Sequence, residues 1–116
     1  IASAQYFDTL GGMALSDINI KTDLKPLEKP LDKLATIKPY SYKRLDLDYK
    51  EEIGVIAQDV QKVYPLAVFH DQYRDLLGVN YSRLVVPLIA AINELNEKVK
   101  KLEKQLEEQR NGLCCK

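Results

Sequence analysis

The stretch of residues 84–106, LVVPLIAAINELNEKVKKLEKQL, carries the strongest periodic signal in the chain and decides its fold class. Its apolar residues recur at alternating steps of three and four, which is typical of a coiled-coil helix with heptad positions abcdefg and apolar a and d residues. The a and d residues are Val85, Leu88, Ile92, Leu95, Val99, Leu102 and Leu106. A helix with one apolar seam must bury that seam against something. The pattern therefore predicts a self-associating helix over residues 81–111, within a C-terminal coiled-coil region and tail at 81–116.

The flanking heptad positions indicate how the helices associate. Lys98 at g and Glu103 at the following e can pair between parallel helices. β-branched residues at a with Leu at d favour dimers in model peptides. The heptads alone thus predict a parallel oligomer and leave the number of chains open.

The first half of this helix has more apolar surface than the seam requires. Val86, Ile89, Ala90 and Ala91 lie outside the a and d positions, and we expect the preceding region to cover this half as well. Because proline lacks the backbone donor and clashes with the preceding turn, the helix either begins near Ser82 or kinks at Pro87.

The preceding residues 16–80 have the pattern of a compact mixed region. Alternation and turn residues predict strands at 39–45, 53–57, 66–69 and 76–79, with turns at 46–52 and 70–75. Short helices are predicted at 30–37, and at 58–64 before Pro65. The fold class is therefore α+β, a small mixed domain followed by a long C-terminal helix. Residues 1–15, with their Gly11-Gly12 break, resemble the end of a preceding domain.

Composition excludes several classes of partner. Lys plus Arg and Asp plus Glu are 17 each, so the formal net charge is zero and no nucleic-acid partner is predicted. The longest apolar run, residues 84–92, is about half the ~18 residues of a membrane span and contains a proline, so no membrane partner is predicted. The chain does not begin with Met and shows no signal-peptide pattern, and we expect it to be part of a longer protein.

Metal or cofactor chemistry is not predicted. The adjacent Cys114 and Cys115 have poor ligand spacing, and we interpret them as free thiols, with interchain disulfides as the alternative. The single histidine, His70, falls in a polar turn and is interpreted as a surface residue.

Three blocks of sequence together resemble one family. Ser16-Asp17 followed by Lys21 would by itself suggest only a turn or cap. Further along, residues 54–65 read GVIAQDVQKVYP, and Val79-Asn80-Tyr81 leads into the terminal helix. In order and spacing these blocks are similar to the intramolecular chaperone auto-processing domain of phage tail fibres, neck appendages and endosialidase tailspikes, which also occurs in membrane-tethered transcription factors. The residues of the central motif are Gly54, Ile56, Ala57, Gln58, Val60 and Pro65.

The resemblance implies a self-cleaving serine endopeptidase that acts once. Ser16 would be the nucleophile, Lys21 its base and Asp17 an orienting group. The expected scissile bond is Leu15–Ser16, reached by an N-to-O acyl shift, with Ser16–Asp17 as the neighbouring possibility. A lysine accepts a proton only as the neutral amine, which burial favours. No cofactor is implied.

The resemblance also implies a biological setting. The domain would form a homotrimer, guide folding of the upstream fibre or spike domain of its own chain, and then leave it. Assembly would take place in the host cytoplasm, and the parent protein would lie in the virion tail or an appendage. The alternatives are a permanent trimerisation cap that never cleaves, and the same domain in a membrane-tethered regulator.

Regular secondary structure does not bring Ser16 and Lys21 together. In a flat strand their Cα atoms are about 16 Å apart on opposite faces, and in a helix they lie about 140° apart. The chain must therefore bend sharply between them, or Lys21 must come from a neighbouring subunit. Our sequence-based hypothesis is the second, which predicts cleavage only after oligomerisation.

Overall fold

The computed structural model describes residues 13–114 of the chain, with side chains for 13–112. The interpretation of residues 1–12 as the end of a preceding domain lies outside these residues. So do the thiol of Cys114 and the whole of Cys115, whose state was a question raised by the sequence.

The described residues form short antiparallel strands and short helices followed by one long helix, which confirms the predicted α+β class. The strands are β1 (Tyr40–Arg44), β2 (Lys50–Gly54), β3 (Val68–Asp71) and β4 (Leu76–Val79). The helices are α1 (Pro30–Leu34), α2 (Ala57–Val63) and α3 (Tyr81–Cys114), with single 3-10 turns at Ile18–Ile20, Leu45–Leu47 and Pro65–Ala67. None of the helices between residues 13 and 114 is both long enough and apolar enough to cross a membrane.

The strands form two separate antiparallel hairpins, β1–β2 and β3–β4. The second strand was predicted at 53–57 but occupies Lys50–Gly54. Residues taken for a polar turn pair with β1 instead, and Glu51 lies opposite Lys43. Charged residues suit this strand because much of the hairpin surface is exposed and opposite charges stabilise cross-strand pairs.

The β3 strand begins two residues later than the predicted range of 66–69. Pro65 starts a 3-10 turn in which the Ala67 amide donates to the Tyr64 carbonyl at 3.0 Å. The Ala67 carbonyl then accepts from the Asn80 amide at 2.7 Å, which draws the end of the second hairpin against the turn. The helix predicted over 58–64 is present, shifted by one residue, and β4 has the predicted bounds. The helix predicted over 30–37 is shorter and ends at Leu34.

The hydrophobic core is small and lies where α2, the turn at Pro65–Ala67 and the start of α3 meet. Its buried residues are Val60, Ala67 and Leu84, and Val60 has no exposed surface. Partly buried apolar side chains surround them: Ile37, Val55, Tyr64, Val68 and Val79. Most other large apolar side chains in the described residues are exposed, so one chain leaves much apolar surface uncovered.

One side of α3 packs against the mixed region. Leu84, Pro87 and Ala91 are buried, and the Leu31 amide at the start of α1 donates to Glu94 Oε1 at 3.1 Å. The expected covering of the first half of the helix is therefore confirmed for Ala91. It is wrong for Val86 and Ile89, which the single chain leaves exposed. The helix begins at Tyr81 and contains Pro87, close to the predicted start at Ser82.

Candidate functional site

Ser16 and Lys21 are in contact within one chain. Lys21 Nζ donates to Ser16 Oγ at 2.5 Å. The bend that the sequence required is the 3-10 turn Ile18–Ile20, in which the Lys21 amide donates to the Ile18 carbonyl at 3.1 Å. The turn brings the two side chains together across five residues, so this contact needs no neighbouring subunit.

Asp17 holds this turn at its start. Its Oδ1 accepts from the Asn19 amide at 2.9 Å, and its carbonyl accepts from the Ile20 amide at 3.1 Å. The resemblance implies that Asp17 orients Lys21, whereas the observed contact of its side chain is with a backbone donor. Asp17 thus holds the turn that joins Ser16 to Lys21.

The pair is open to solvent in the single chain. Ser16, Asp17 and Lys21 are all exposed, and Leu15 on the other side of the expected scissile bond is 77% exposed. The apolar neighbours Ile18 and Ile20 are exposed as well. The chain thus brings a hydroxyl and an amine together at a solvent-exposed position.

The central motif builds the junction between the first hairpin and the helices. Gly54 ends β2 against the hydroxyl of Tyr81, which would collide with any Cβ at that position. The Ile56 carbonyl accepts from the Val60 amide at the start of α2, and Pro65 opens the turn that follows the helix. The remaining motif residues are Ala57, first in α2, and Gln58, which is exposed. The other motif residues thus shape the junction between the hairpin and the helices.

Two residues that join elements were not singled out from the sequence. The Val55 amide donates to Tyr81 Oη at 3.1 Å, which ties the end of β2 to the first residue of α3. Glu94 caps the start of α1 from a distance of 63 positions along the chain. Tyr81 stood in a motif block without an assigned role. Glu94 had no sequence signal, because its partner is a backbone amide.

The heptad seam lies along α3 as predicted and is uncovered in the single chain. Exposure of its residues ranges from 43% at Val99 to 65% at Ile92. The seam does not overlap the buried face made by Leu84, Pro87 and Ala91. The helix thus binds its own mixed region with one face, and its seam is exposed in the single chain.

The pKa values of Arg44, Asp46 and Tyr64 are shifted by their surroundings. A hydrogen bond from Arg44 lowers the pKa of Asp46, and the same contact raises the pKa of Arg44. Burial raises the pKa of Tyr64, whose hydroxyl is buried without a hydrogen-bond partner among the described residues. His70 lies exposed at the end of β3, with Nε2 at 2.7 Å from Asp75 Oδ1. Within residues 13–112, His, Asp and Glu side chains form no group of three or more that could hold a metal ion.

Comparisons with known proteins identify related sequences. The family model described as "Chaperone of endosialidase" matches residues 16–69. The long tail fiber protein Gp37 of Salmonella phage S16 is 37% identical over 102 residues, covering 80% of this chain and 14% of that protein. Gp37 of Enterobacteria phage M1 is 34% identical over 99 residues (78% and 39%), and Gp37 of Enterobacteria phage Ox2 is 34% identical over 96 residues (76% and 38%). The chain therefore spans between 14% and 39% of the length of these three relatives.

Proposed function

This chain carries a domain of the chaperone of endosialidase family, and on that premise we propose that it is an intramolecular chaperone of a phage tail fibre that trimerises and then cuts itself free. The observation that carries the proposal is the hydrogen bond between Lys21 Nζ and Ser16 Oγ. It lies at the start of the segment that matches the family.

The reaction we propose is an N-to-O acyl shift followed by hydrolysis. Lys21, as the neutral amine, takes the hydroxyl proton of Ser16 while Oγ attacks the carbonyl carbon of Leu15. The C–N bond of Leu15–Ser16 breaks and the Ser16 nitrogen leaves as an amine, with the proton returned by Lys21. Water then hydrolyses the ester, which leaves a carboxylate on Leu15 and a free amino group on Ser16. Ser16–Asp17 is the neighbouring alternative for the scissile bond.

The turn favours a Ser16–Lys21 pair formed within one chain over a pair formed between two chains. Both side chains belong to the same copy, and Asp17 fixes the turn that joins them. We therefore propose that each copy supplies both Ser16 and Lys21 for its own cleavage. This replaces our sequence-based hypothesis that Lys21 comes from a neighbour.

Assembly could supply the apolar covering surface that Lys21 lacks in the single chain. Lys21 is exposed in the single chain, whereas a lysine acts as a base only as the neutral amine, which an apolar covering surface favours. Ile18 and Ile20, exposed beside it, are suited to bury against such a surface. We propose that trimerisation through the seam of α3 covers this turn, so that cleavage follows assembly.

A helper of this kind fits the needs of a fibre. Strands whose edges pair only between chains are exposed to register errors and aggregation until the chains are aligned. A terminal coiled coil brings the chains together and raises their effective concentration. Release of the helper would leave a fibre that is stable kinetically without it, located in the virion tail after assembly in the host cytoplasm.

The test is the intact mass of the protein expressed with its natural upstream sequence. We expect two fragments that separate before Ser16, and a single uncut chain for Ser16→Ala and for Lys21→Arg. Arginine keeps the charge and the hydrogen bond but cannot act as a base, because it stays protonated. Ser41→Ala and Lys25→Arg are the matched controls and should cleave normally.

The outcomes separate the alternatives. A cut before Asp17 would move the scissile bond by one residue and overturn the N-to-O shift, because Ser16 Oγ reaches its own carbonyl carbon only through a strained four-membered ring. A wild-type protein that stays whole while oligomeric would identify a permanent trimerisation cap and overturn the proposed chemistry.

A further inference from the structure

Val86 and Ile89 form an exposed apolar pair on α3 outside the seam. They are 57% and 55% exposed, although they lie in the half of the helix that the mixed region covers. In the heptad frame Ile89 is at e and Val86 at b, beside the a and d seam. We call this pair the e-side patch.

The opposite flank of the same helix carries the chain's own mixed region. Leu84 and Ala91 are at g, while Pro87 and Glu94 are at c, and these four residues are buried or partly buried. The contacts on this flank come from α1 and from the turn at Pro65–Ala67, whose Leu66 is 82% exposed. The seam therefore has the mixed region on one side and the e-side patch on the other.

A parallel coiled coil brings these two flanks together between chains. The g positions of one helix face the e positions of the next. The mixed region that packs on positions g and c of one chain then lies next to the e-side patch of the neighbouring chain. An antiparallel arrangement would instead place like flanks together, and the two surfaces would not meet.

The apolar character of both flanks ends at the same height along the helix. After Ile89 the e positions become polar, beginning with Asn96, and after Ala91 the g positions become polar, beginning with Lys98. The patch is thus apolar only alongside the segment where a neighbour's mixed region would reach. This matched extent argues for a second copy of the chain as the occupant.

We propose that the e-side patch binds the mixed region of the neighbouring copy, on the surface formed by α1 and the turn at Pro65–Ala67. The inference rests on the parallel coiled coil of the proposed function and names a second contact surface within it. Each mixed region would then contact two helices. It would bind its own helix at heptad positions g and c and the neighbouring helix at positions e and b.

Photocrosslinking of the oligomer tests this contact. Chains carrying a photoreactive diazirine side chain at position 89, 96 or 97 are mixed with isotope-labelled chains, irradiated, digested and mapped by mass spectrometry. We expect position 89 to give light–heavy crosslinks to residues 16–80. Position 96 should reach only the neighbouring helix, and position 97, at f, should give no interchain crosslink.

A substitution pair keeps the test independent of the probe. Ile89→Asp should raise the dissociation constant of the oligomer about ten-fold or more, since it removes a buried apolar side chain. Asn96→Asp, at the same heptad position beyond the mixed region, should change it less than about two-fold. Because Ile89 is exposed in the single chain, the isolated fold should survive, as circular dichroism can verify.

The results distinguish this inference from the proposed function. An oligomer in which position 89 never crosslinks to residues 16–80, or in which the two substitutions act equally, overturns the e-side contact and leaves the coiled coil standing. Sedimentation that shows only monomers at all concentrations overturns both.

Discussion

Residues 16–21 bring a hydroxyl and an amine into contact through a turn. Asp17 accepts from the Asn19 amide, the chain turns once through Ile18–Ile20, and Lys21 returns to Ser16. Every hydrogen bond in this arrangement is local and exposed. Such contacts contribute little stability in water, so the turn orders the pair without protecting it.

At this scale the prediction concerns which chain supplies Lys21. Oligomers containing only Ser16→Ala and Lys21→Ala chains should show no cleavage, because no copy holds both groups. Coexpression of tagged chains followed by intact mass measurement is the experiment. Cutting of the Lys21→Ala chain in these mixed oligomers would mean that Lys21 acts across subunits, and would restore the shared-site hypothesis.

The first hairpin is joined to the long helix by one tyrosine. Tyr81 Oη accepts from the Val55 amide at 3.1 Å and fills the space beside Gly54. The Tyr42 hydroxyl would also lie at 3.3 Å from a Cβ at position 54. A methyl group at position 54 would therefore meet the Tyr81 hydroxyl and displace it from the Val55 amide.

This junction predicts coupling between Gly54 and Tyr81. Gly54→Ala should destabilise the protein by about 1–3 kcal/mol, because a methyl group meets the tyrosine hydroxyl. Tyr81→Phe removes that oxygen, so the double variant should be more stable than the sum of the single effects predicts. Urea unfolding at fixed protein concentration measures all three variants.

Gly112→Ala is the control for the backbone effect of alanine. Nothing lies within 4 Å of a Cβ at this position, and it lies in α3, so the change should stabilise by up to about 1 kcal/mol. Strictly additive effects of the changes at 54 and 81 would show that the close approach does not limit position 54.

The whole molecule has too small a core for its apolar surface. Only six apolar residues between 13 and 112 are buried, Pro30, Val60, Ala67, Leu84, Pro87 and Ala91, while the seam of α3 faces solvent. An apolar surface of this extent marks an interaction site. This exposed surface fits the proposed assembly, in which the main hydrophobic contacts lie between copies.

At the scale of the assembly we predict that cleavage depends on the seam. Leu95→Lys places a charge at a d position and should weaken oligomerisation at least about ten-fold. Cleavage should slow with it, although Ser16 and Lys21 are untouched. Sedimentation and the rate of fragment appearance measure the two effects. Glu97→Lys, which adds the same residue at the outward f position, is the control.

Undiminished cleavage by a monomeric Leu95→Lys protein would contradict the coupling. The exposed pair would then be active without a covering surface, and the proposed role of assembly in making Lys21 a base would be wrong.

Features that depend on local periodicity and local residue chemistry could be predicted from the amino-acid sequence. The heptads gave α3 and its seam, and alternation with turn residues gave the two hairpins and the short helices to within a few residues. The Ser16–Lys21 pair was proposed from family resemblance, and the need for a sharp bend followed from backbone geometry. These inferences succeed because neighbouring residues alone fix the period of a helix or strand.

Only the tertiary structure decided which surfaces meet. It placed Lys21 on Ser16 within one chain, Glu94 on the start of α1, and Tyr81 against Gly54. It also divided the apolar residues of α3 into a covered flank and the exposed Val86 and Ile89. Apolar residues on a helix have the same periodicity whichever partner covers them. The partner is therefore set by contacts between residues far apart in sequence, which no local pattern records.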